Sequence, residues 1–334
     1  MSWKGTVRSL QASARRAERN AHRRQRELEK RQKEYAKMEA LEQAAYEVEV
    51  YENHIDILLS IHKECAEPVK WKKILSKPEP KQPQKHGSLE QAAMHASATY
   101  RPNFWARLFK LEARQREALV QKVDAAKIED DRQYKAQLGE WNAAHTEWAE
   151  ERDIALRILD GDRQAKLDAI GAFESFEEIS HLGSSIEMLV HESGVLEAKV
   201  AIHGSHVIPT EIKSLLKSGK LSTKAMPTGR FNEIHQDYVC SCALRVGREL
   251  MAILPDDLVI VTAMDNVLNS STGHMEDQPI LSVAFSRATV DGLNLEAIDP
   301  SDAMKNFVHN MSFKKGAGFS AVAALDAQRF AVTA

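Results

Sequence analysis

Between Asn103 and Phe176 the chain contains no proline, and only Gly139, Gly161 and Gly171 interrupt a run of Ala, Leu, Glu, Gln, Lys and Arg. Those residues lose least on entering a helix, so the stretch predicts one long helix. Its middle carries a seam. Tyr134, Leu138, Trp141, His145, Trp148, Arg152, Ala155 and Leu159 follow each other in steps of four and three. That spacing keeps one stripe of an α-helix turned toward a partner. A helix of this length cannot bury a face against itself, so the seam demands something to pack on.

The N-terminal third offers a candidate partner. Residues 2–66 read as helix, with Val48, Ile55, Leu58, Leu59 and Ile61 clustering toward its end, and Pro68 stops it. Pro78, Pro80 and Pro83 then favour extended, polyproline-like chain in a linker. Ser88 with Gln91 reads as a capping box for a short helix that ends before Pro102. The expected organisation is a basic N-terminal helix (1–67), a proline-rich linker with a short helix (68–102), and a long helix (103–180). An antiparallel helical hairpin is the shortest solution, and an intermolecular coiled coil, hence an oligomer, is the alternative.

Beyond Phe176 the period changes from 3.5 to 2. Ile186, Met188 and Val190 alternate with Glu187, Leu189 and His191; Glu192, Ser193 and Gly194 make a turn; Leu196, Ala198, Val200 and Ile202 alternate again. This predicts a β-hairpin. A loop with a short helix at 211–217 follows, then a helix from Phe231 to Leu254 and an apolar run from Leu258 to Met264, the pattern of a strand buried on both faces. A polar loop, 265–278, leads to a strand at 280–286. Asp299 and Pro300 open a last helix that ends near Gly316. The fold class is α+β, with the order β-β-α-β-β-α over 181–334.

At 334 residues the chain has room for two folding units, and its net charge of −3 exerts no overall pull on nucleic acid or membrane. The charge is unevenly spread. Residues 1–37 hold twelve Lys or Arg and four Glu, an excess of eight positive charges. Arg15, Arg16, Arg19, Arg23, Arg24 and Arg26 fall on more than one side of a helix; a solvated helix face is the first reading and a nucleic-acid partner the alternative. A protein partner, or a second copy, is expected through the coiled coil. Three cysteines without framework spacing fit a reducing compartment; no apolar run is long enough to span a bilayer, and the expected location is cytoplasmic.

Nucleotide-binding and nucleophile-elbow motifs are absent, and no cofactor is expected. His203 with His206, and Cys240 with Cys242, have no convincing ligand spacing, so no metal site is assigned to them. Glu233, His235 and Asp237 read as the polar first turns of a helix. One constellation invites chemistry. Alternation puts Glu197 and Lys199 on the same face of the second hairpin strand. A carboxylate beside an ammonium can hold a divalent cation and stabilise charge at a phosphate.

The order of helix, hairpin carrying Glu197-Ala198-Lys199, helix and buried strand resembles the core of the PD-(D/E)xK nucleases over roughly residues 173–265. The resemblance implies metal-dependent cleavage of DNA or RNA with Mg²⁺ or Mn²⁺. Glu197 and Lys199 would be catalytic, with Glu187 or Glu192 as the neighbouring carboxylate and Glu177 or Glu178 on the preceding helix. The family's Pro-Asp pair is missing. A cross-strand charge pattern on a solvent face is the other reading of Glu197 and Lys199. Two functions therefore stand side by side: a coiled-coil interaction or scaffold protein with an α+β binding domain, and a nuclease of this degenerate type.

Overall fold

A computed structural model describes residues 40–102, 104, 111–172, 185–202, 204–269 and 271–330. The six arginines of the basic arm lie outside the described residues, as do His203, Glu177 and Glu178. The chain divides into two units. One is Lys72–Ala155; the other joins the chain up to Trp71 with Leu156 onward. No helix among the described residues is long and apolar enough to cross a membrane.

The first unit is built along one helix. Helix α1, Ala40–Ser60, belongs to the other unit; α2 is Trp71–Leu75, α3 is Ser88–Ala98, and α4 is Glu112–Leu159, 48 residues long. Residues 76–87, between α2 and α3, form neither helix nor strand, apart from a turn at Ser76. The start of α3 differs from the expected capping box. Ser88 lies within the helix, and its free N-terminal N–H groups are satisfied from α4: Asp130 accepts from Leu89 N (3.3 Å) and Glu90 N (2.8 Å). The long helix stops at Leu159, where Gly161 takes φ +80° and Asp162 caps the next helix, α5, Arg163–Gly171, by accepting from Ala165 N.

The second unit is the α+β body. Strands β1 (Ser185–Val190) and β2 (Leu196–Ala201) pair antiparallel around a turn in which Gly194 has φ +79°. After a short helix α6, Gly204–Val207, comes a second hairpin, β3 (Glu211–Leu215) and β4 (Leu221–Ala225), where a helix was expected. Its turn explains the difference: Leu216 N and Lys220 O close the loop at 2.9 Å, and Gly219 supplies the left-handed residue, φ +79°.

Helix α7, Thr228–Ile253, leads to β5 (Leu258–Leu268), which runs parallel to β2. Strand β6 is Met275–Ser286, and β5 and β6 remain paired out to Leu268 and Met275. The expected polar loop 265–278 is therefore mostly a two-stranded ribbon. Cross-strand polar pairs hold it, with Asn266 Nδ2 donating to Asp277 Oδ1 (2.9 Å) and Asn269 Nδ2 to Glu276 Oε2 (2.8 Å). Helix α8 is Arg287–Asp291. The last expected helix shrinks to α9, Pro300–Ala303, with Asp299 as its cap, and a single 3₁₀ turn; strand β7, Val308–Lys314, and β8, Gly318–Ser320, follow.

The sheet order is β1-β2-β5-β6-β7-β8. Helix α7 covers one face, where Val259, Val261, Val283 and Phe285 are fully buried. On its other side α7 meets α1 and the turn after it. There Glu249, fully buried, pairs with Arg245 at 2.7 Å and accepts from Ala66 N, while His62 and Ser241 bond at 2.9 Å. The opposite sheet face is crossed by the chain from Val322 to Phe330. Leu325 and Phe330 pack there against Val195, Ile260, Ala284 and Ala327.

Candidate functional site

The sheet face under residues 322–330 holds the charged pair that the sequence singled out. Glu187 and Lys199 are directly opposed across β1 and β2, and Lys199 is opposed to Thr262 on β5. Glu187 is exposed and Lys199 half-buried. Among the described residues no ion pair joins them. Glu197 is different: it is only 4% exposed, and both of its oxygens are occupied. His191 Nε2 donates to Oε2 at 2.8 Å and Thr262 Oγ1 to Oε1 at 2.8 Å.

The direction of this network follows from proton counting. Thr262 has one hydroxyl proton and gives it to Glu197, so Ser282 donates its own to Thr262 Oγ1 across 3.0 Å. Ser282 Oγ in turn accepts from Leu325 N at 3.0 Å. The chain of donors thus runs from the C-terminal segment to a single buried carboxylate, each bond polarising the next. His191, Thr262 and Ser282 were not singled out by sequence. Their signal is faint: isolated polar residues at positions where the strand period points away from α7. Glu197 is buried where the C-terminal segment packs on Ile260 and Ser282, while Glu187 on the same sheet face is exposed.

The remaining sequence candidates do not converge. Cys240 and Cys242 are fully buried, and burial pushes both thiols up, Cys242 to about 12, so they stay protonated. His206 is exposed. Glu233 pairs with Lys315 at 2.5 Å. Asp237 is raised by its burial, partly offset by a bond from Ser301. His235 lies against Phe319, ring centroids 5.4 Å apart, and burial pulls it down to about 4. Asp265 Oδ2 is 3.6 Å from its Nε2, within ion-pair range yet too far for a hydrogen bond, so burial decides and the ring is neutral at pH 7. Among the described residues no group of three His, Cys, Asp or Glu could hold a metal ion.

A second site lies wholly within the Lys72–Ala155 unit. On α4 the rings of Trp141, His145 and Trp148 form a ladder, with centroids 5.1 Å and 5.6 Å apart. The extended chain 76–87 runs along it. Trp148 Nε1 donates to Lys77 O (3.0 Å), Trp141 Nε1 to Pro80 O (2.9 Å), and Arg152 to Leu75 O (3.0 Å). His145 donates to Glu79 at 3.1 Å. Lys77 pairs with Glu151, which is 3% exposed, at 2.7 Å. Lys85 pairs with Asp131 near the far end.

The register is antiparallel, and the two backbones match in length. From Trp148 back to Asp131 the helix rises about 26 Å at 1.5 Å per residue. From Lys77 to Lys85 a polyproline-like chain covers about 25 Å at 3.1 Å per residue. Burial repeats with the same period. Lys77, Pro80 and Pro83 are half-buried, and the residues between them are exposed. A three-residue repeat is the turn of polyproline II. The seam's partner over this region is therefore extended chain, whereas α1, the expected helical partner, packs on α7 in the other unit. No family model, no curated protein and no solved structure matches this chain.

Proposed function

We propose that this chain is an interaction protein, in which the long helix α4 supplies a recognition surface and reach, and the α+β body meets a partner of its own. The observation that carries the reading is how α4 holds residues 75–85. Two indole donors grip carbonyls of the extended chain, and Arg152 grips the carbonyl of Leu75 where that chain leaves α2, so the helix reads extended chain as a peptide-binding surface does. The carboxylate best placed for chemistry, Glu197, has both oxygens committed within the fold. The test is affinity capture with the full chain against a Trp141→Phe, Trp148→Phe variant, which keeps ring bulk and removes both N–H donors. A partner retained by wild type and lost by the variant supports the reading. Identical captured sets for the two proteins refute the role given to α4.

One observation favours the second reading, a metal-dependent nuclease. Strand β2, carrying Glu197 and Lys199, pairs parallel with β5, which follows α7 as the PD-(D/E)xK resemblance calls for, although α6 and the β3–β4 hairpin stand between β2 and α7. In that case the basic arm would hold the nucleic acid, and Mg²⁺ or Mn²⁺ would bind at Glu197 with Glu187 or a residue outside the described ones. Incubation with DNA and RNA and either ion decides it. Cleavage that vanishes in Glu197→Gln and Lys199→Ala supports a nuclease; no cleavage by wild type removes it.

A further inference from the structure

The aromatic ladder on α4 is occupied by the chain's own segment, and that occupant describes the ligand. We infer that Trp141, His145, Trp148, Glu151 and Arg152 form a receptor for extended, proline-bearing peptide of the pattern Lys-Pro-acid-Pro, and that residues 76–87 are a strap holding it shut in cis. The inference rests on the interaction reading above and names its ligand class and its regulation.

Three features separate a receptor from ordinary packing. The contacts to the strap's backbone are made at carbonyls by the two indole N–H groups, with Arg152 holding the carbonyl of Leu75 just before it, so the fit depends on an extended backbone more than on particular side chains. The side-chain contacts are charged and sit at fixed places, Lys77 on Glu151 and Glu79 on His145. No residue from 76 to 87 is buried, so the strap leaves no apolar core behind when it lifts. Prolines at 78, 80 and 83 pre-set the bound conformation and lower the ordering cost. A further feature points to an incoming ligand. Glu151 is nearly buried, Lys77 satisfies its Oε2, and its Oε1 has no hydrogen-bond partner. An arginine at the lysine's place in a partner peptide would reach both oxygens.

A strap tethered this closely acts as a competitor at an effective concentration on the order of 1 mM. Free peptide therefore binds wild type weakly, and releasing the strap unmasks the site. The experiment uses the full chain and a fluorescent peptide spanning residues 74–86, with anisotropy as the readout. The release variant carries Lys77→Ala with Pro78→Gly, Pro80→Gly and Pro83→Gly. It should bind the peptide on the order of tenfold more tightly than wild type. Its tryptophan emission should move to the red while its helical circular dichroism stays unchanged. Adding Trp141→Phe and Trp148→Phe should abolish the binding, and a peptide with Lys77→Arg should bind at least as well.

A release variant that keeps its helix content and binds no peptide at about 1 mM overturns the inference. So does a variant that loses its helix, because strap and α4 would then be one folding element. Binding indifferent to the two Trp→Phe changes puts the ligand elsewhere and also refutes it. A doubled mass of the release variant relative to wild type assigns the face to exchange between copies and overturns a foreign partner. If the peptide fails while a Trp-dependent partner survives in affinity capture, the interaction reading stands and only the proline-rich ligand is lost.

Discussion

Replacing Gly247 with alanine tests how α7 is seated on the sheet. Gly247 lies inside α7, six residues before its end, where alanine is ordinarily favoured by about 0.8–1.0 kcal/mol. A Cβ there would sit 2.5 Å from Phe285 Cδ2 and 3.1 Å from two further ring carbons. Carbon atoms prefer about 3.5–4.0 Å, so the ring would have to retreat by roughly 1 Å. It has nowhere to go. Phe285 is fully buried on β6 and meets Phe307 edge-on, with centroids 4.8 Å apart. Overpacking of this kind costs about 1–3 kcal/mol, and contact with three ring atoms puts this case at the upper end. The net effect should be a destabilisation of about 2 kcal/mol after the helix gain is subtracted. Urea denaturation of the full chain should show a lower midpoint at unchanged slope. In a Phe285→Val background the ring is gone, and Gly247→Ala should become neutral or stabilising, a coupling of about 1–3 kcal/mol. A midpoint raised by Gly247→Ala in the otherwise wild-type chain would refute the close seating of α7 on β6.

Further outcomes follow from other parts of the fold. Ile260, fully buried on β5 beneath the C-terminal segment, should cost about 2–5 kcal/mol when cut to alanine, and a change near zero in urea midpoint would mean that this face is open. His235 titrates at about 4 when folded against 6.5 unperturbed, so between those values the folded state binds fewer protons. Its contribution is fully present above about pH 6.5 and is lost as pH falls toward 4, a window of about 3 kcal/mol. His235→Phe should remove that part of the pH dependence, and a stability difference between variant and wild type that stays constant from pH 7 to 4 would contradict it. Changing Arg15, Arg16, Arg19, Arg23, Arg24 and Arg26 to Gln should flatten the salt dependence of any nucleic-acid binding, measured by anisotropy with short DNA and RNA duplexes; no binding by wild type at low salt would leave the arm to a solvated face or an acidic protein.

Local pattern made much of the α+β body legible, and turn chemistry explains where it did not. The hairpin β1–β2 carries a period of 2 about a turn at Gly194, α7 an apolar helix face between Pro227 and Pro255, and the buried half of β5 an unbroken apolar run. The strands read as loop or helix are those whose apolar signal is weak. In β3 and the outer part of β6, charged and polar residues stand where a buried strand would carry valine or isoleucine, so pairing depends on Gly219 and on cross-strand polar bonds. Strand β7 follows a correctly capped helix start at Asp299. Nothing in the first turn of α9 announces that it ends after four residues.

The two sites differ in how far sequence could reach, and the reason is the range of the interactions. Alternation correctly puts Glu197 and Lys199 on one face, because a strand's period is local. Whether that face meets water is decided by residues 322–330, more than a hundred positions away, and no local period encodes it. On α4 the periodicity correctly marks Trp141, His145 and Trp148 as a stripe in need of a partner. It does not say what kind. Tryptophans are bulky for a tight helical pair, and their N–H groups need acceptors that an apolar helix face does not offer. A proline-rich segment offers them, since extended chain without internal hydrogen bonds leaves its carbonyls free. Pro78, Pro80 and Pro83 read first as a mere linker. Taken together with two indoles seven residues apart on one helix face, they specify both halves of one contact, and the matching lengths of about 25 and 26 Å follow from the two backbone geometries alone.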